Sequence, residues 1–128
     1  MWPGVSAMMN FRAGDLLFLG GLMAVDENGA LAREVRVDPD RPYFGSPARL
    51  QADYILSQAE RICAKAGTSL ANVVRAQQFH TDLGGFDAAW QAWQKHLPGR
   101  PIPFSAVEVP ALAVPGAAVM LDLWVHVP

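Results

Sequence analysis

The stretch AAVMLDLWVHV at residues 117–127 decides how this chain folds. Successive residues of a β-strand point to opposite sides of the sheet, so its side chains divide into two faces. The first face is purely aliphatic and consists of Val119, Leu121, Leu123, Val125 and Val127. The second face carries Met120, Asp122, Trp124 and His126. The stretch therefore predicts a strand whose aliphatic face lies against the core and whose other face is partly apolar.

The second face of this strand favours an oligomer. A sheet that is open to water on one side does not normally carry Met120 and Trp124 there, so we expect a partner subunit to cover them. The composition agrees, because 52% of the 128 residues are hydrophobic and only 17% are charged. The same low charge excludes a disordered chain.

Two helices and four further strands are predicted upstream. Apolar runs bounded by turn residues indicate strands at 5–12, 15–25, 73–81 and 104–109, besides 117–127. Ser46-Pro47 provides a helix N-cap and first-turn proline, and Gly67 ends that helix. A second helix is predicted over 86–97, and residues 33–47 are interpreted as a surface loop after a brief strand. The first helix is expected to bury a stripe bordered by Cys63, comprising Ile55, Ala59, Ile62 and Ala66.

The alternation in 104–109 makes a prediction about where a ligand binds. It places Val107 and Val109 toward the core and Phe104, Ala106 and Glu108 on the opposite face, the expected location of any small-molecule site. Whether Glu108 faces Asp122 depends on the strand register, which the sequence alone leaves open.

Charge and residue counts exclude several classes of function. Ten Lys and Arg against twelve Asp and Glu leave a net charge of −2, which argues against nucleic-acid binding. Cys63 is the single cysteine and the three histidines are scattered, so neither a metal site nor a cofactor is expected. The apolar run 16–25 is too short to span a bilayer, and we expect a cytoplasmic protein with no membrane partner.

Several short motifs occur in an informative order along the chain. They are GDLLFLGG at 14–21, AGTSL at 66–70, VVR at 73–75, TDL at 81–83 followed by Phe86, SAVEV at 105–109, and PGA at 115–117. In this order and spacing they resemble the RidA/YjgF family over nearly the whole chain, which implies one domain over 1–128. The resemblance implies a chorismate-mutase-like α+β fold, with a mixed sheet and two helices on one face. It also implies a homotrimer in which the other faces form a central barrel.

The resemblance also implies a function. Members of this family have ligand pockets at their subunit interfaces, and the active ones hydrolyse reactive enamines or imines to 2-oxo acids and ammonia. Older family names refer to ribonuclease and translation-inhibitor activities. Ribonuclease activity is disfavoured here, because the chain lacks a basic track and an evident histidine pair.

Several positions depart from the pattern of the deaminating members. Phe104 stands where they carry an arginine, whose charge-assisted hydrogen bond to a substrate carboxylate would contribute roughly 1.5 to 3 kcal/mol. Met120 stands in place of a glutamate that orients water, while Gly20, Leu22 and Trp90 replace a serine, a glutamine and an asparagine. We therefore expect an altered, mostly apolar pocket lined by Gly20, Trp90, Phe104, Ser105, Ala106 and Met120.

The roles of individual residues allow alternatives. Asp122 and Glu108 could act as general acid and base if burial raises one pKa, or they could fix the register of a subunit interface. Phe104 could fill the pocket or form an apolar floor for an uncharged ligand, while Ser105 and Ala106 still offer backbone N–H groups. Arg100 could replace the missing arginine.

Other polar and aromatic residues are expected to be structural. His80 and His126 are interpreted as solvated or interface histidines, and Trp90 and Trp93 as packing residues. Three functions therefore remain open. They are a trimeric small-molecule protein that deaminates 2-imino acids poorly, a hydrolase for a different and less charged enamine or imine, and a non-catalytic binding or interaction module.

Overall fold

A computed structural model describes residues 10–36, 46–99 and 101–128 of the chain. Within these ranges the α+β class is confirmed, with one sheet and two α-helices. In chain order the elements are β1 (Asn10–Ala13), β2 (Leu16–Leu22), α1 (Pro47–Lys65), β3 (Val73–His80), α2 (Phe86–His96), β4 (Phe104–Glu108) and β5 (Val119–His126). Short 3-10 turns occur at Arg33–Val35, Leu70–Asn72 and Leu83–Gly85.

The sheet is mixed and has β5 at its centre. Its order is β1-β2-β5-β3-β4, and β5 pairs antiparallel with both β2 and β3. β3 and β4 are parallel, because α2 crosses over between them and returns the chain to the same end of the sheet. The strand that dominates the sequence pattern is therefore also the strand that organises the fold.

The aliphatic face of β5 lies in the core, as predicted. Val119, Leu121, Leu123 and Val125 are at most 1% exposed, and they form one cluster with side chains of both helices. Burial of each such side chain contributes about 1.5 to 3 kcal/mol. The alternate residues of β5 are only half-buried, so the helices cover one face of the sheet and leave an open face.

Helix α1 begins and ends at the predicted signals. Ser46 Oγ accepts a hydrogen bond from Arg49 N at 3.4 Å, and Gly67 has a φ of +82°, the left-handed conformation that glycine adopts without strain. The buried stripe is shifted from the predicted one, because Ile62 and Ala66 are only half-buried. Since α1 packs against both α2 and β5, its apolar face is broad. The buried residues are Ala48, Gln51, Ala52, Ile55, Leu56, Ala59 and Cys63.

A polar cluster joins the two helices on their outer side. His96 Nε2 lies 2.8 Å from Asp53 Oδ1, and His96 Nδ1 lies 2.9 Å from Glu60 Oε1. Burial alone would raise the pKa of Asp53, but hydrogen bonds and charge from His96 and Lys95 outweigh it and hold the pKa below the ordinary value of 3.8.

The ends of several predicted elements differ from those observed. The strand expected over 15–25 ends at Leu22, because the chain bulges at Gly20-Gly21 and then turns, with Asp26 Oδ1 accepting from Asn28 N and Ala30 N. Residues 5–9 of the first predicted strand and 37–45 of the predicted loop lie outside the described residues, as does Arg100.

Candidate functional site

The register of β4 places its side chains on the faces opposite to those predicted. Phe104 pairs with Ala76, and Glu108 with His80, two β3 residues that are buried on the helix face. Phe104, Ala106 and Glu108 therefore share the helix face, and Val107 lies on the open face, where it is 39% exposed. Val109 follows the strand and is half-buried. The prediction was wrong because β4 is a five-residue edge strand with apolar residues on both faces, so its parallel pairing decided the orientation.

This register divides the predicted site residues into two groups. Asp122 and Glu108 lie on opposite faces of the sheet, so the two carboxylates do not face each other. The open-face group consists of Gly20, Ser105, Met120 and Asp122. The helix-face group consists of Trp90, Phe104, Ala106 and Glu108.

A polar row crosses the open face at the level of Asp122. Asp122 pairs with Gln77 of β3, and Gln77 pairs with Ser105 of β4, so the three side chains lie side by side. Arg75 lies one step away on the same face, where its Nη2 donates to Ser105 Oγ at 3.3 Å. The guanidinium of Arg75 also lies 5.5 Å from the centroid of the Trp124 ring, a cation–π arrangement.

The Asp122 carboxylate is tied to the backbone of the neighbouring strand. Gly20 and Gly21 together oppose Asp122, which makes a β-bulge in β2. Gly21 has a φ of +65°, and its N–H donates to Asp122 Oδ1 at 2.7 Å. A Cβ at position 20 would lie 3.7 Å from the same oxygen, so Gly20 lies directly against the carboxylate. Asp122 therefore holds the bulge between β2 and β5, which is a structural role within one chain.

Apolar side chains surround the polar row. Met120 pairs with Phe79, and Phe79 with Val107, on one side of the row. On the other side Trp124 pairs with Phe18, which in turn pairs with Phe11, a residue that is 70% exposed. The open face is therefore a largely apolar surface with a polar centre.

Phe104 belongs to an aromatic cluster on the helix face. Its ring centroid lies 5.7 Å from that of Phe86 and 5.3 Å from that of Trp90, and the Phe86 and Trp90 rings are 6.1 Å apart. Trp93 extends the cluster at 6.5 Å from Trp90. The Phe104 ring thus fills the space between β4 and α2.

Glu108 has a local structural role. Its Oε1 accepts from Leu83 N at 3.0 Å, and in the same turn Asp82 Oδ1 accepts from Gly84 N at 2.8 Å. These bonds satisfy backbone N–H groups at the turn that leads into α2. Ala106 lies two residues before Glu108 in β4 and pairs with Gln78.

A buried polar pair on β3 was missed from the sequence. Gln78 and His80 are 0% exposed, and His80 Nε2 lies 3.1 Å from Gln78 Oε1. An amide oxygen only accepts, so His80 donates from Nε2 to Gln78 Oε1. Burial lowers the pKa of His80, because a charged ring is disfavoured away from water. The expectation of a solvated or interface histidine was wrong, because residues 76, 78 and 80 share the buried face of β3.

Cys63 is a structural residue. It is completely buried in α1, and burial, reinforced by the charge of Glu60, raises the pKa of its thiol to about 11. A thiol with so high a pKa is almost entirely protonated near neutral pH and is a poor nucleophile. Cys63 is therefore a small side chain of the core.

Among the described residues, no group of three or more His, Cys, Asp and Glu side chains is placed to hold a metal ion. None of the helices in the described part of the chain has the length and hydropathy needed to cross a bilayer.

The fold and these two groups define a class of protein, namely an α+β chain with one mixed sheet, helices on one face and an apolar open face. The family profile described as endoribonuclease L-PSP matches residues 6–127, nearly the entire chain. The chain belongs to this family, the one that contains the RidA and YjgF proteins. The predicted family and fold are thereby confirmed.

Solved structures of this family share the fold. RidA from the Antarctic bacterium Psychrobacter sp. is 24% identical with a TM-score of 0.74, and the match covers 92% of this chain and 85% of that one. The Mycobacterium tuberculosis YjgF/YER057c/UK114 family member Rv2704 is 23% identical with a TM-score of 0.72, over 95% and 90% of the two chains. Yeast Mmf1 is 17% identical with a TM-score of 0.76, over 94% and 86%. No curated protein sequence gives a significant match.

Proposed function

We propose that the protein is a single-domain, cytoplasmic RidA-like homotrimer that binds small molecules at its subunit interfaces and hydrolyses 2-imino acids poorly. The observation that carries this proposal is the position of Phe104. Its ring packs against Phe86 and Trp90 at the place where the family resemblance implies a carboxylate-binding arginine. A phenyl ring has no hydrogen-bond donor, so a carboxylate there would be desolvated without compensation.

The homotrimer is supported by the open face of the sheet. Phe11, Phe18, Trp124 and Phe79 lie on this face, whereas the two helices lie on the other. Covering such apolar surface contributes roughly 25 cal/mol per Å² removed from water. Because every copy carries the same face, symmetric packing of copies is the simplest way to bury it.

The positions of two further side chains, Met120 and Arg75, support the proposal of weak deaminase activity. Met120 occupies the position implied for the water-orienting acid, and its thioether cannot act as a general base. Arg75 lies on the open face beside Ser105 and Trp124, on the opposite side of the sheet from Phe104. Arg75 therefore does not replace the missing guanidinium from within the same chain.

The test is ammonia release from imines that an amino-acid oxidase generates in place, with a deaminating family member as positive control. We expect no acceleration by the wild type and only a slight gain from Phe104→Arg, since the water-orienting acid is still missing. Phe104→Arg with Met120→Glu should give a larger gain than either change alone. Acceleration by the wild type comparable to the control, or a large gain from Phe104→Arg alone, would contradict the proposal.

A second candidate is a hydrolase for a less charged enamine or imine, and the setting of Asp122 favours it. Only Oδ1 of this half-buried carboxylate accepts from Gly21 N, and among the described residues Oδ2 has no hydrogen-bond donor. Oδ2 could therefore accept a proton from a ligand on the open face. In a screen of uncharged imines, loss of turnover in Asp122→Asn, with the assembly intact, would support this candidate. Ligand-induced stabilisation without any product would favour a binding module instead.

A further inference from the structure

A narrow crevice lies between β3 and α2, behind the aromatic cluster. Its lining residues are Ala76, Gln78, Trp90, Trp93, Ile102 and Phe104. With Phe104 in its present position, the crevice has no room for a water molecule. The polar groups among its lining side chains are the amide of Gln78 and the indole N–H groups of Trp90 and Trp93.

Two nitrogen atoms of these polar groups have no hydrogen-bond partner among the described residues. Gln78 Nε2 and Trp93 Nε1 are buried, and neither meets an acceptor among the described residues. Gln78 Oε1 is held by His80 Nε2, so the amide is oriented and its N–H groups point away from that bond. A buried donor without a partner is uncommon in folded proteins and has a cost in folding free energy. A ligand that brought an acceptor into the crevice would remove this cost.

Phe104 is placed to open the crevice. It is the most exposed of the lining residues, at 39%, and it lies on the edge strand β4. Rotation of its side chain toward solvent breaks no backbone hydrogen bond and leaves a ring-sized space beside Phe86 and Trp90. A flat ring entering that space would regain the aromatic contacts that Phe104 gives up.

We propose that this crevice binds a flat, uncharged molecule whose ring replaces that of Phe104 and whose carbonyl oxygen accepts a hydrogen bond from Gln78 Nε2. No residue that lines the crevice carries a positive charge, so an anionic ligand has no partner there. The inference rests on the proposed function in one respect, namely that Phe104 stands where the family resemblance implies a carboxylate-binding arginine. In this proposal Gln78 recognises the carbonyl oxygen of the ligand, and the Phe104 side chain opens or closes the crevice.

Calorimetric titration of the intact protein with three probes tests the assignment. Benzamide supplies a ring and a carbonyl, toluene supplies the ring without the acceptor, and benzoate supplies the charge. We expect benzamide to bind the wild type weakly and Phe104→Ala at least tenfold more tightly, since no ring must then be displaced. Benzoate should bind neither form. Val107→Ala is the matched control, because Val107 lies on the same strand with the same 39% exposure but faces the open side.

The role of Gln78 has its own variant. In the Phe104→Ala background, Gln78→Leu should weaken benzamide at least tenfold and leave toluene unchanged. Equal affinities for benzamide and toluene, or no effect of Gln78→Leu, would overturn the assignment of the donor. Failure of the wild type to bind benzamide at concentrations that saturate Phe104→Ala would show a permanent plug rather than a gate. If Phe104→Ala does not fold, Phe104→Leu serves the same comparisons.

The outcome is separable from that of the proposed function. If the wild type deaminates 2-imino acids and also binds benzamide through Gln78, the proposed function is contradicted but the proposed ligand site in the crevice is supported. If the wild type neither deaminates 2-imino acids nor binds benzamide, the proposed ligand site in the crevice is wrong and the proposed function still holds.

Discussion

The two faces of the sheet are built from the same strands but are completed in different ways. On the helix face Leu121 and Leu123 are at most 1% exposed, because α1 and α2 pack over them. On the open face the alternate residues Met120 and Trp124 are only half-buried, although their side chains are also largely apolar. Two helices are enough to cover one side of a sheet. Apolar residues at every position of a strand therefore indicate two apolar faces, but they do not indicate which face the chain itself covers.

A charge placed on the open face should have the strongest effect, namely loss of the oligomer. Trp124→Lys would place an ammonium in the surface that we expect to be covered by other copies, where it would be desolvated without a partner. Light scattering should give three times the 13.9 kDa chain mass for the wild type and a single chain mass for the variant. Gln91→Lys, at an exposed position of α2, is the control and should keep the wild-type mass. A wild type of 13.9 kDa would contradict the homotrimer.

Two substitutions at neighbouring positions of β5 compare the stability contributions of the two faces. Leu121→Ala should lower the free energy of unfolding by about 2 to 5 kcal/mol, because it removes fully buried methyl groups and leaves a cavity. Met120→Ala, at the neighbouring position on the open face, should cost clearly less in a variant already made monomeric. Urea unfolding at matched protein concentration measures both, since subunit association also contributes to stability. Equal losses would mean that the chain itself covers both faces.

The smallest effect is on the pH dependence of the free energy of unfolding. It distinguishes the contribution of His80 on β3 from that of Asp53 on α1. The pKa of His80 is lowered from 6.5 by burial, so below that pH the unfolded state binds a proton that the native state does not. The free energy of unfolding should therefore be fully retained above pH 6.5 and fall as the pH drops toward the lowered value. His80→Leu should flatten this decline. His126→Gln, which changes a half-buried histidine of the open face, is the control and should retain it.

The stability contribution of Asp53 should fall in a lower pH range. Because its pKa is held below 3.8, its contribution is present above that pH and is lost as the pH falls further. A His80→Leu variant that still loses stability below pH 6.5 as the wild type does would show that another group is responsible. Asp53→Asn should change only the more acidic part of the curve.

The fold was largely predictable from local signals. Ser46, Pro47 and Gly67 delimit α1 through capping chemistry that acts within a few residues, and the structure confirms the helix they predict. The alternation in β5 is equally local, and its aliphatic residues are buried as expected. Order and spacing of short motifs identified the family, which the match over residues 6–127 confirms.

The candidate site was less predictable, because it depends on pairings between distant segments. The face on which Phe104 lies is set by its parallel pairing with Ala76, 28 positions earlier in the chain. The role of Asp122 depends on a bulge in β2, about a hundred residues away, where Gly21 N donates to it. Asp122 and Glu108 remain candidates, and each already has a structural hydrogen bond.

Local patterns in the chain predicted the helices, the strands and the buried aliphatic face of β5, while the family resemblance implied an arginine and a glutamate where Phe104 and Met120 stand. The central place of β5 in the sheet, the packing of Phe104 against α2 and the buried pair of Gln78 and His80 became evident from the tertiary structure alone. The reason is physical. Periodicity and capping arise from neighbours in the chain, whereas the face of an edge strand and the partners of a buried amide are set by long-range packing.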